Sequence, residues 1–289
     1  MKKFISFLKV FFDKKEIIYI NNDVLFSEAI NEIKKDHLIA VDTEFIWRNT
    51  YLPSLSLIQI SNQNKIFIFD LFKNDNLLEL KRIFESNKIK KIFHSLRSDI
   101  SVLNTSLGVQ VRNVFDTQIA ESILDNNFSA QIGYKDLVNK YFLISISKDE
   151  TNSDWSKRPL NKNQIEYAAN DVRYLIRIMK AQTIKLKKMG LMEDFDNLCS
   201  KEKDFGEEDF SVSRLKRLKK KNKKLTALDE KIFLWREEEA KIRNLPPNNI
   251  FKVNHLNRLA EVIRKRDFKE CSWIIRDEDS RNRFILNFK

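Results

Sequence analysis

The sequence predicts an α/β domain, a mixed sheet flanked by helices, followed by a small all-α domain. Two observations carry this. Period-2 apolar runs crowd the first third of the chain, with a helical stretch between two that can pair in parallel, and helix-period runs dominate thereafter. The charge is also split: of the net +12, residues 214–289 carry 22 Lys+Arg against 11 Asp+Glu, leaving 31 against 30 in residues 1–213. A nearly neutral front and a basic back predict separate tasks, the back meeting a polyanion. At 289 residues there is room for about two domains. With 42% hydrophobic residues and only four Gly and four Pro, a packed core is expected and a loop-dominated chain is excluded.

The elements follow in order. Residues 16–20 and 38–41 read as strands around a helix at 24–35. SLSLIQIS (54–61) alternates and reads as a strand, and KIFIFD (65–70) follows after the turn-forming Asn62-Gln63-Asn64. Residues 77–85 are helical, 89–93 a strand, and 96–107, 115–124 and 134–142 helices, with 143–159 irregular. Asn161 caps a long helix running to about 188. Residues 206–212 read as a loop, and RLKRLKKKNKK (214–224) as a basic run. Helices at 227–243, 253–264 (after Pro246-Pro247) and 269–276 complete the chain. The expected division is an α/β domain at 1–206, a basic linker at 207–224 and a helical domain at 225–289.

The opening MKKFISFLKVFF imitates a signal peptide, but Lys9 interrupts it, no small-residue cleavage site follows and DKKE comes next. No apolar stretch approaches the ~20 residues of a membrane span. No membrane partner is expected, and a cytoplasmic monomer is. Cys199 and Cys271 form no C-x-x-C and no zinc spacing, and are expected as reduced thiols.

Chemistry enters at VDTEF, where Asp42 and Glu44 follow the apolar run 38–41. Residues i and i+2 of a strand point to one side, so the two carboxylates form a hard anionic pocket suited to Mg²⁺ or Mn²⁺. A D-x-E is commonly just a solvated face. A second motif, FHSLRSD, puts Asp99 in the first turns of a helix, where an acid is favoured by the dipole in any case. A third, YAANDV, stacks Tyr167 and Asp171 on one helical face at i and i+4. Each has a bland reading alone. Brought together, four carboxylates repel one another unless cations lie between them. Two divalent ions ~3.5–4 Å apart can hold a scissile phosphate, activate water and stabilise the leaving oxygen. Tyr167, with an ordinary pKa of ≈ 10, would orient that water as a neutral phenol rather than act as a base.

These residues resemble the DEDD exonuclease superfamily, tyrosine subtype, and specifically the ribonuclease D family. After VDTEF and IWRN comes TYLPSLSLIQIS, similar to that family's T-Y-x-P-x-L-x-L-I-Q segment. FDTQIAESIL resembles its D-T-Q-x-A helix, and GYKDLV, SDWSKRPL and YAANDVRYL resemble its third block. The resemblance spans residues 17–190 or so. It implies an RNase H-like fold, two metal ions held by Asp42, Glu44, Asp99 and Asp171, and 3′→5′ hydrolysis with Tyr167 completing the catalytic set. LDEKIFLWREEEAKIRNLPPNNIF resembles the helicase-and-ribonuclease-D C-terminal domain, of which this sequence holds one where longer relatives have two. The implied partner is structured RNA, tRNA precursors above all. A DNA exonuclease of the same fold and a non-catalytic RNA-binding scaffold are the alternatives.

Other residues have two readings. His94 is read as core or support for the site, since Tyr167 takes the orienting position. Phe45 can stack on a terminal base, worth about 1–3 kcal/mol, or fill core. Arg158, near Trp155 in the DWSKRPL segment, can hold a phosphate or make a structural ion pair. Lys219, Lys220, Lys221, Lys223 and Lys224 are read as phosphate-binding rather than as a solvated tether.

Overall fold

The computed structural model describes residues 15–72, 77–127, 131–147 and 149–289. The signal-like segment 1–12 lies outside them. The chain divides into two compact units: residues up to Ile46 with Ser54–Glu207, and Trp47–Pro53 with Glu208–Lys289.

The first unit is built on a six-stranded sheet: β1 (Glu16–Ile20), β2 (Leu38–Ile46), β3 (Ser54–Ser61), β4 (Lys65–Asp70), β5 (Lys90–Phe93) and β6 (Val114–Asp116), in the order β1-β4-β3-β2-β5-β6. β1 pairs with β4, β2 with β5 and β5 with β6 in parallel, while β3 is antiparallel to β2 and β4. The expected mixed sheet is thus present. Its central strands β3 and β4 are buried almost end to end, as their apolar runs require. Helices α1 (Asp23–Ile33), α2 (Leu78–Glu85), α3 (Arg97–Leu107), α4 (Thr117–Leu124), α5 (Tyr134–Phe142), α6 (Lys162–Arg173), α7 (Leu175–Met189) and α8 (Met192–Glu207) accompany the sheet.

Four sequence expectations for this unit change. β2 does not stop at residue 41 but runs to Ile46, so VDTEF lies inside a strand. Phe115 sits in the short strand β6, and its helix starts only at Thr117. The long helix begins at the expected Asn161, which makes a capping box with Gln164, but breaks at Tyr174. There Tyr134 Oη accepts from Tyr174 N at 3.3 Å and donates to Asn170 O at 2.9 Å. Finally, α8 has no counterpart among the elements read from the sequence. Its acids and lysines hide a stripe of Phe195, Leu198 and Cys199 that meets the core.

In the second unit the expected linker 207–224 is corrected: Phe210–Lys221 is helix α9. Asp209 caps it by accepting from Ser211 N at 2.8 Å, and Phe210, Leu215 and Leu218 pack against the unit's core. Their i, i+5, i+8 spacing falls on one helical face, masked in the sequence by the basic residues between. The remaining helices are α10 (Ala227–Ile242), α11 (Pro247–Ile250), α12 (Leu256–Lys265), α13 (Cys271–Ile274) and α14 (Glu278–Phe288), the last missed in the sequence. The segment Trp47–Pro53, entering from β2 and leaving to β3, is part of this core. Tyr51 is 2% exposed and donates to Glu237 Oε2 at 3.1 Å. Arg214 binds the same oxygen at 2.7 Å, and Arg236 binds Glu237 Oε1 at 2.6 Å. Cys199 and Cys271 are free and buried. Among the described residues no helix is long and apolar enough to cross a membrane.

Candidate active site

β2 alternates as a half-covered strand should: Val41 and Thr43 are buried, while Asp42 and Glu44 share the other face and are partly open. The register with β3 slips between Glu44 and Phe45, a bulge that interrupts the ladder beside the two acids before Phe45 and Ile46 pair again. Asp171, from α6, joins them, so that Asp42, Glu44 and Asp171 offer carboxylate oxygens all within 4.8 Å of one another. Asp99 is not part of this tight trio. It is buried in the first turn of α3 and accepts a 2.6 Å hydrogen bond from Thr43 Oγ1, but its charge is felt by Glu44 and Asp171.

The electrostatics are those of carboxylates crowded without a counter-charge. Burial and the Asp171 charge push Asp42 well above the ordinary carboxylate range. Burial, then Asp42, Asp171 and Asp99, push Glu44 up to about 10. Burial raises Asp171 to about 7, against a hydrogen bond from Tyr167 that favours its charged form. Asp99 is raised by burial and by Asp42, opposed by the Thr43 hydrogen bond. This is a hard, all-oxygen donor set short of positive charge, which fits a divalent cation such as Mg²⁺ or Mn²⁺. Tyr167 lies 3.2 Å from Thr151 Oγ1, and burial together with Asp171 raises its phenol pKa, so it stays protonated.

Two further residues aim Asp99. Asp116, at the end of β6, accepts from the backbone N–H groups of Ser95 (3.1 Å), Leu96 (2.7 Å), Gln118 (2.7 Å) and Ile119 (3.2 Å). It thereby caps α4 and holds the left-handed turn at Ser95 (φ 66°) from which α3 departs. Gly206 of α8 faces the start of α3, and a Cβ there would lie 2.9 Å from Arg97 O and 3.0 Å from Ile100. His94 lies between Thr117 Oγ1 (3.0 Å) and Ile132 O (3.1 Å), tying down the turn.

Arg158 is corrected. Its five N–H groups go to Asp70 Oδ2 (2.6 Å) and Oδ1 (3.0 Å), Ser56 Oγ (3.0 Å), Trp155 O (2.9 Å) and Lys157 O (2.8 Å). No donor is left for an RNA phosphate, because the buried Asp70 carboxylate claims the guanidinium. Phe45 is half-buried against the core of the first unit. Lys219, Lys220, Lys221, Lys223 and Lys224 are all exposed, and Lys219 pairs with Glu230 at 2.7 Å. Sequence reasoning missed Thr43, Asp116 and Gly206. The position of Thr43 inside the D-x-E was an available signal, since any residue there lies on the opposite face.

A family model described as 3′-5′ exonuclease matches residues 17–187. The chain is 31% identical over 263 residues to ribonuclease D of Pseudomonas paraeruginosa, covering 89% of this chain and 68% of that protein. It is 32% identical over 231 residues to ribonuclease D of Nitrobacter hamburgensis, covering 77% and 59% respectively. Among solved structures it is similar to Escherichia coli RNase D, described as an exoribonuclease involved in structured RNA processing, with a TM-score of 0.78 and 26% identity over 86% of this chain and 67% of that one. The family match runs the length of the acid-bearing sheet, and coverage of 89% of the chain carries the likeness into the helical unit. The chain therefore belongs to the 3′-5′ exonuclease family, on its ribonuclease D side, and is a 3′-5′ exoribonuclease.

Proposed function

We propose that this exoribonuclease removes 3′-terminal nucleotides from structured RNA, tRNA precursors in the first place, as nucleoside 5′-monophosphates, using two divalent ions. The observation carrying the metal reading is the convergence of Asp42, Glu44 and Asp171 within 4.8 Å, with Asp99 held beside them by Thr43. Bound between these carboxylates, Mg²⁺ or Mn²⁺ supplies polarisation of the phosphate, an activated water and a stabilised leaving oxygen. The chain's own groups do the rest. Tyr167, kept neutral, orients the water through its hydroxyl, and Asp171 one turn on fixes the phenol. Phe45, just past the bulge, offers its partly open ring to the terminal base. The second unit, read as a module like the helicase-and-ribonuclease-D C-terminal domain, holds the body of the RNA through Lys219, Lys220, Lys221, Lys223 and Lys224. We read the protein as a cytoplasmic monomer.

The test is timed digestion of 5′-labelled RNA beside a matched DNA strand. A ladder shortening from the 3′ end, arrested by EDTA and restored by Mg²⁺ or Mn²⁺ but not specifically by zinc, is expected. Immediate release of labelled mononucleotide would overturn the polarity. Equal digestion of DNA would overturn the RNA restriction, and binding without cleavage would favour a scaffold.

A further inference from the structure

Trp273 of α13 is 83% exposed. The other tryptophans are accounted for. Trp155 is buried, Trp235 meets Phe284 with ring centroids 4.9 Å apart, and Trp47 meets Phe210 at 5.1 Å. Among the described residues no aromatic ring stacks on Trp273. An indole left in water forgoes one of the largest burial gains a side chain can make. It is carried by a short element whose neighbours Cys271 and Ile274 anchor the backbone in the core, so the ring stands on a fixed base.

The surroundings select the occupant. The stretch 264–276 holds Arg264, Lys265, Arg266, Lys269 and Arg276 against two acids. All five cations are exposed and make no ion pair among the described residues. Both acids are engaged: Glu270 binds Arg258 at 2.9 Å and Asp267 accepts from Lys269 N at 3.2 Å. An open indole carried within a sequence run of exposed cations matches a chain that offers flat bases and phosphates together. It does not match an apolar protein face, which the cations would resist, nor a duplex, whose bases are already stacked.

We propose that Trp273 is a stacking platform for an unpaired RNA base, with Arg264, Lys265, Arg266, Lys269 and Arg276 flanking it as phosphate ligands. This is a second RNA-binding surface in the helical unit, separate in sequence from Lys219–Lys224. It rests on the reading of that unit as an RNA-holding module. Its place is a single-stranded segment of the substrate, and its effect is on grip, not on cleavage.

The test uses the full chain in EDTA, so that nothing depends on turnover, and titrates oligouridine and a fully paired RNA duplex of equal length across a salt series. Trp273→Ala is expected to weaken oligouridine binding about 5- to 150-fold, the equivalent of ~1–3 kcal/mol of stacking. Duplex binding and the salt slope should stay unchanged, since no charge is removed. Trp273→Phe should keep most of the affinity while losing the fluorescence quenching that RNA produces. The thermal midpoint should not move, the side chain being exposed. Wild-type affinity in Trp273→Ala, or equal losses for duplex and single strand, would overturn the proposal. A change in sedimentation behaviour with unchanged RNA binding would also overturn it, and would assign the face to a second copy of the chain. If cleavage fails while the Trp273-dependent binding stands, only the catalytic reading falls.

Discussion

Thr43 donates to Asp99 across 2.6 Å, from a buried position on the face of β2 opposite Asp42 and Glu44. One strand thus supplies two acids on one side and, between them, the hydroxyl that fixes a third acid from α3. The hydrogen bond engages Asp99 Oδ1, and on the proposed two-ion reading the other oxygen would face a cation. Thr43→Val keeps the shape and removes the donor. Hydrogen bonds to charged groups are worth about 1.5–3 kcal/mol, so a loss of roughly 10- to 150-fold in activity at limiting Mg²⁺ is expected, partly recovered at high Mg²⁺. Thr43→Ser should retain most activity. A metal-titration curve of Thr43→Val superimposable on the wild type would remove Thr43 from the site.

Replacing Asp42, Glu44, Asp99 or Asp171 by Ala should abolish turnover, because on the proposed two-ion reading each substitution weakens an ion site. Removing one member of a like-charge cluster relieves repulsion, so the metal-free variants should melt no lower than the wild type in EDTA. Tyr167→Phe should impair hydrolysis more than binding, with ~10²–10⁴-fold as the upper range for such a group. Single-turnover rates beside Kd values separate the two.

The metal-free protein should lose stability as pH rises from about 5 to 7. Asp171 is raised to about 7 and Glu44 to about 10, so the folded state keeps protons that the unfolded chain, with carboxyls near 4, has released. The stability each provides is complete below the unfolded pKa and is lost as pH climbs through the folded one. The slope is at most about 1.4 kcal/mol per pH unit per proton. Lys91, buried and pushed down to about 7, acts oppositely only above that value, which leaves the 5–7 window to the acids. Melting curves in EDTA should show the decline, and Mg²⁺ or Asp171→Ala should flatten it.

How far the site was legible follows from where its signals lie in the chain. Spacing alone places Asp42 with Glu44 and Tyr167 with Asp171, since period 2 and i, i+4 are local geometry. The meeting of β2, α3 and α6 is a long-range fact, and the order of motifs stands in for it. Thr43, Asp116 and Gly206 act through packing and hydrogen bonds between elements far apart in sequence, so beyond the place of Thr43 within the D-x-E and of Asp116 within FDTQIAESIL nothing local marks their roles. Arg158 was ambiguous because an Arg in a polar segment suits a phosphate and a buried acid equally. Only the position of Asp70 at the end of β4 decides between them. Residues 207–224 read as a basic linker because lysine density outweighed the Phe210, Leu215 and Leu218 spacing. The role of Tyr51 was hidden because its partner Glu237 lies so far along the chain.

Arg158→Ala should therefore cost stability rather than RNA affinity. Asp70 is 1% exposed; burial raises its pKa, but hydrogen bonds from Arg158 and Tyr19 outweigh that and hold the carboxyl below its usual range. Removing the guanidinium strands a buried charge, at a cost of about 3–5 kcal/mol. Denaturant unfolding should show the decrease, and the salt slope of RNA binding should match the wild type. A native stability with a flattened slope would restore Arg158 to the RNA.

The lysines at the end of α9 and just beyond it differ in how free their charges are. Lys219 is already paired with Glu230, whereas Lys220, Lys221, Lys223 and Lys224 are exposed and make no ion pair among the described residues. Each lysine–phosphate pairing removed should flatten log K against log salt by roughly 0.7–0.9. Neutralising the four to Gln should thus weaken long-RNA binding and lower the slope by about 3 if each meets a phosphate. Neutralising Lys219 alone should change the slope less than any of them, because its charge is partly spent on Glu230. A short oligonucleotide that reaches only the acids should be cut at close to the wild-type rate in all these variants. The Trp273→Ala protein offers the contrast: it should lose affinity with its slope intact, so the two surfaces are told apart by salt alone. If the four-lysine variant binds long RNA with unchanged slope, those lysines are a solvated helix end, and the grip of the helical unit lies elsewhere.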